Sequence, residues 1–197
     1  MVKSTLINLA YLFYPRKICF QKEEEKYFNS VEYKRLIERI GYFNKDENRY
    51  FCDILKKDFE NDKVLRNFKD VSLLDWQDRA ISFNLQIVQE SELHTISLFL
   101  SILIPFYTIR VQKNKIEYFF SSLEIEQMKN DNSDSREIKD LISEISTRVE
   151  NKMLYRMFPN ELINMIIEDI NFQEIPFGKF TMFNAFFNNS ITTDNEN

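Results

Sequence analysis

The chain has 197 residues, 44% of them hydrophobic and 15% aromatic, and a formal net charge of −5. That length fits one domain, and that much apolar material supports a packed core and excludes wholesale disorder. Two Gly exclude a glycine-rich phosphate cradle, and the acidic balance argues against nucleic acid and for a basic protein surface as the charged partner.

Cys19 and Cys52 have no CxxC spacing, so both read as idle thiols of a cytoplasmic protein rather than a disulfide framework. Leu6 to Tyr14 is apolar and follows Lys3, yet Pro15, Arg16 and Lys17 come next with no small-residue cleavage site, so no targeting segment is expected. The apolar run Leu98 to Tyr107 is broken by Ser101 and Pro105 and falls short of the ~20 residues of a membrane helix.

Residues 1–22 fit either a strand or a first helix. Asn29 or Ser30 then reads as an N-cap, and Val31, Tyr33, Leu36, Ile37 and Ile40 form a helical stripe ending at Gly41. A second helix fits Asp46 to Phe59 through Tyr50, Phe51, Ile54, Leu55 and Phe59, and Val64, Leu65 and Phe68 make a short third. Ile81, Phe83, Leu85 and Ile87 alternate with polar residues, the period of a half-buried strand. Thr95 to Ile104 reads as a strand buried on both faces, or as a buried helix, and Pro105 marks a bend. Tyr107, Ile109 and Val111 alternate again, and Lys113–Lys115 reads as a tight turn into Ile116, Tyr118 and Phe120.

Asn130 to Ser135 is polar, and Ser135 is placed to cap a long helix reaching Phe158 through Ile138, Leu141, Ile142, Ile145, Val149 and Met153. Pro159 breaks it, Glu161 to Ile170 forms a second helix, and Lys179 to Phe187 returns as a possible last strand. The fold class expected is α+β: N-terminal helices, a central antiparallel β-meander, and a C-terminal helical pair, with helices on one sheet face. Residues 1–187 form the domain, and the polar residues 188–197 form a disordered tail.

Glu90, Glu92 and His94 would point the same way on an extended chain, so they could hold a metal or anchor an enzyme site; the plainer reading is a polar turn, because His94 is the sole histidine. No residue pattern brackets a Ser or Cys nucleophile, and Trp76 reads as a core-edge residue. Five Phe in the run from Phe177 to Phe187 favour core, with an oligomer contact as the alternative. No cofactor, resident metal or membrane contact is expected.

Residues 117–174 carry 13 acids against 6 bases. Glu137, Asp140 and Glu144 recur at i, i+3 and i+7, opposite the apolar stripe of their helix. Their mutual repulsion is partly offset by the helix dipole at its N-terminal end. They read either as a solvated face or as a docking surface for a basic partner, to which Glu124, Glu126, Asp131 and Asp134 would add.

In size, acidity and helix–meander–helix layout the chain resembles the cytoplasmic immunity proteins that neutralise antibacterial toxins, and its Lys-, Asn-, Ile- and Phe-rich usage resembles proteins of AT-rich bacteria. The resemblance spans the whole chain in character and rests on no motif, so it carries over no residue. It implies a non-enzymatic, stoichiometric inhibitor that caps a toxin's active site, often by setting acids against a basic nuclease surface. An enzyme around Glu90, Glu92 and His94, or a structural adaptor self-associating through the Phe-rich segment, are the alternatives.

Overall fold

A computed structural model of the chain describes residues 2–74, 77–89, 92–115, 121, 123, 126 and 136–189. The fold is α+β, with helices first, a five-stranded sheet in the middle and helices again at the C-terminal end. The first apolar run is helical: α1 (Val2–Ala10) buries Leu6 and Ala10. A short α2 (Glu24–Asn29), which the sequence pattern did not announce, leads into α3 (Val31–Phe43). Ser30, not Asn29, is the cap of α3: its Oγ accepts from the Tyr33 amide at 3.2 Å. The helix runs through Gly41 rather than stopping there, because the next turn buries Phe43 edge-on to Phe51. That packing outweighs the ~1 kcal/mol a helical Gly costs. A 3₁₀ turn (Asp46–Asn48) precedes α4 (Tyr50–Glu60), and a second one (Leu65–Asn67) replaces the short third helix expected.

The strands are β1 (Lys69–Asp70), β2 (Ala80–Gln89), β3 (Glu92–Ser101), β4 (Phe106–Lys115) and β5 (Arg156–Met157). They lie side by side in that order, antiparallel except for β4 with β5. The turn expected at Lys113–Lys115 does not form. Instead β4 continues, pairing Lys113 with His94 and Lys115 with Glu92, and the opposite charges of Lys115 and Glu92 across the ladder favour extension. The strand expected at Ile116–Phe120 lies outside the described residues, as do Glu90 and Trp76.

Phe83, Leu85, Ile96, Leu98 and Tyr107 share one sheet face by register, and α4 and α5 (Ile138–Met153) pack on it. The other face is covered too, where Phe99 meets Phe183 of the C-terminal segment. The expectation of helices on one face alone is therefore corrected. Its source is the segment 179–187, expected as a strand but folded as α7 (Met182–Phe186) behind a Thr181–Asn184 capping box. All five residues of α7 are buried, so no amphipathic period marks it in the sequence.

Two other boundaries move. Helix α5 starts after Glu137 and ends at Leu154 rather than Phe158, because β5 pairs with the sheet instead: the Phe158 amide donates to Tyr107 O at 2.8 Å. Of the helix expected at 161–170 only one turn forms, α6 (Asn160–Ile163), before the chain bridges Ile166 to Thr181. The first residues of the expected tail are held in place. Asn184 Nδ2 donates to Asn188 O, and Arg79 Nη2 donates to Asn189 Oδ1 at 2.7 Å. Residues 190–197 lie outside the described set. No helix among the described residues is long and apolar enough to cross a membrane.

Candidate protein-docking surface

Helices α4 and α5 lie side by side on the sheet because Leu55 and Phe59 of one and Leu141, Ile145 and Val149 of the other point into a shared core. Their outer seam is closed by charge. Arg136 grips Asp62 with two bonds of 2.9 Å and reaches Glu144 at 2.6 Å. Arg148 bridges Glu144 to Asp58, and Lys152 meets Asp58 at 3.3 Å. The Arg136 guanidinium, with the amides of Leu65 and Val64, holds the Asp62 carboxyl well below the usual carboxylate range despite partial burial. Three acids thus meet three bases, and the seam carries no net charge.

This places the predicted acids unequally. Glu144 is spent inside the seam. Glu137 stands at the N-terminal end of α5 without a side-chain capping bond and pairs with Lys139 in an exposed contact worth little, and Asp140 is exposed. Glu126 is exposed, while Glu124, Asp131 and Asp134 lie outside the described residues. Glu137 and Asp140 remain as acids available at the N-terminal end of α5.

The other end of the same pair is apolar and uncovered. Tyr50, Ile54 and Asp58 recur every four residues on the flank of α4 that faces α5. Only Asp58 finds a partner across the seam; Tyr50 is 67% exposed and Ile54 44%. Leu154 closes α5 at this end of the pair, two residues past the Lys152 that meets Asp58, and burial pushes the hydroxyl of its neighbour Tyr155 up to about 12. Leu154 is 83% exposed, and its φ of 57° is the left-handed conformation that favours Gly or Asn. A large apolar side chain stands there against both solvation and backbone preference. Sequence reading counted Tyr50 and Ile54 among the apolar positions at helical spacing, without separating them from the buried ones. The available signal was excess: Tyr50, Phe51, Ile54, Leu55 and Phe59 together span more of the wheel than one helix face can bury.

His94 is buried, with Nε2 3.6 Å from Glu92 Oε2, and Glu92 is shared with Lys113 at the same distance. No group of three His, Cys, Asp or Glu that could hold a metal occurs among the described residues. Cys19 and Cys52 are free thiols, Cys52 buried and pushed up to about 12 by desolvation. Phe180, Phe183, Phe186 and Phe187 are fully buried, so the Phe-rich run is core and only Phe177 reaches the surface. No protein-family model matches the chain, no curated protein matches it, and no solved structure matches it.

Proposed function

We propose that this chain is a non-enzymatic, cytoplasmic protein-binding protein, an immunity-type inhibitor that occludes a cognate toxin domain through the outer face of the α4–α5 pair. The observation that carries the reading is Leu154, exposed and in the left-handed region, at the same end of an ion-paired helix pair as the exposed Tyr50 and Ile54. Aromatic and aliphatic anchors of this kind set residence time at interfaces. Asp140 and Glu137 lie about 20–25 Å from Leu154 along α5, at 1.5 Å per residue, within the span of one standard interface. There they would steer a basic partner and speed encounter.

The test starts from tagged protein in native lysate at low salt, and proceeds to the purified complex. A 1:1 complex with a basic toxin domain is expected. Leu154→Asp should weaken it by about 100-fold, as loss of a central anchor does, at unchanged secondary structure. The double reversal Glu137→Lys, Asp140→Lys should slow association and flatten its salt dependence. Unchanged affinity in Leu154→Asp would remove this surface from the reading, and absence of any stoichiometric protein complex would remove the reading itself.

A further inference from the structure

The stretch that joins α4 to the sheet edge builds a cavity of about 180 Å³ on the opposite flank of α4 from the seam. Its walls are Leu55, Phe59, Leu65, Phe68 and Phe83, with the Phe59 and Phe68 rings stacked 5.1 Å apart. Lys56, Glu60 and Arg66 complete the lining, and all three are exposed side chains. Lys56 Nζ sits 5.7 Å from the Phe83 ring centroid and 3.4 Å from Asp70 Oδ2. Arg66 makes no ion pair among the described residues.

The charged groups at this cavity are two cations, Lys56 and Arg66, and one acid, Glu60. Lys56 is engaged by Asp70, which leaves Arg66 as the cation of the lining with no ion pair among the described residues. A cavity of about 150 Å³ lined by Leu, Ile and Phe is enough to take benzene. Here a similar volume has an aromatic interior and guanidinium and ammonium groups at its wall, the pairing that recognises a carboxylate.

We infer that this cavity binds a small aryl carboxylate, one ring wide, its ring among Phe59, Phe68 and Phe83 and its carboxylate on Arg66 and Lys56. The inference is independent of the α4–α5 docking surface. The probes are benzoate and benzyl alcohol, which share a shape and differ in charge, titrated into the intact chain with methyl resonances of Leu55 and Leu65 as the readout. Benzoate should shift both saturably at or below about 10 mM, and bind at least tenfold more tightly than benzyl alcohol. Arg66→Met, at the surface, should weaken benzoate about tenfold and leave benzyl alcohol unchanged, with the thermal midpoint as the folding control. No saturable shift with benzoate, or equal affinity for the two probes, overturns the inference. So does an Arg66→Met variant, together with Lys56→Met, that binds benzoate as the parent does.

Discussion

Arg79 is wholly buried at the start of β2, and its guanidinium donates to carbonyls and an amide rather than to a carboxylate. Nε and Nη2 reach Asn184 O at 3.0 and 2.5 Å, and Nη1 reaches Gln77 O at 2.8 Å. It thereby closes the C-terminal carbonyls of α7, where the helix dipole favours a cation. Asp78 stands next to it, yet burial pushes the Asp78 carboxyl up to about 6, with Arg79 lowering it only in part. A carboxyl raised in the folded state binds its proton more tightly there than in the unfolded chain. Its contribution to stability is therefore present below the usual carboxylate value of about 4 and lost as pH rises through about 6. Asp62, Asp70 and Asp169 are lowered and act with the opposite sign, losing their contribution as acid protonates them. Asp78→Asn should accordingly be more stable than the parent at pH 7, with the difference shrinking toward pH 4. Denaturant titrations across about pH 4–7 check this, and parallel curves for the two proteins would show that Asp78 does not titrate in that window. Nothing in the sequence marks Arg79: the carbonyl that receives its guanidinium belongs to α7, more than a hundred positions away.

At the scale of elements, the meander was legible because β2 and β4 keep one apolar face in a period of two, whereas β3 read equally as a strand buried on both faces or as a buried helix. The ends of helices were less legible. Helix α5 looks continuous to Phe158 because its stripe is unbroken and Pro159 is the first breaker, whereas tertiary pairing of β5 ends it at Leu154. The candidate docking surface was half legible: charge spacing marked Glu137, Asp140 and Glu144, but Arg136 and Arg148 hold Glu144 in the seam, and what fixes those arginines there, Asp62 and Asp58, is distant in sequence. The left-handed closure of α5 supplies the prediction at this scale. Leu154→Gly removes a Cβ from a conformation that costs an L-residue about 1–2 kcal/mol, and gives up little packing because the side chain is exposed. Added chain entropy in the unfolded state offsets part of that gain. The variant should melt at or slightly above the parent while losing partner binding as Leu154→Asp does. Such a split between stability and binding would mark the strained leucine as kept for contact. A variant that both unfolds more readily and still binds would assign Leu154 to the fold instead.

The whole molecule is a sheet covered on one face by α4 and α5 and on the other by α7, and Phe183 is where the second cover meets the sheet. Its ring packs edge-on to Phe99 at 5.4 Å, stacks on Phe187 at 5.5 Å, and lies under the Arg110 guanidinium at 3.4 Å. The α+β class could be read without this contact, but the layering could not, because a segment buried all round carries no period to say which way it faces. If both covers belong to one core, loss of the second should loosen the first. Phe183→Ala removes a fully buried ring and should cost about 3–5 kcal/mol, a large share of the 5–15 kcal/mol that holds a domain of this kind. Cooperativity decides where that cost is felt. In a single cooperative unit, amide protection should fall by the same free energy in β3 and in α5, although Phe183 meets β3 on the sheet face turned away from α5. Hydrogen exchange measured on both elements in parent and variant reads this directly. Protection lost only around residues 160–189, with Leu141, Ile145 and Val149 of α5 still exchanging as in the parent, would make the C-terminal cover a separate unit laid against a core already complete without it.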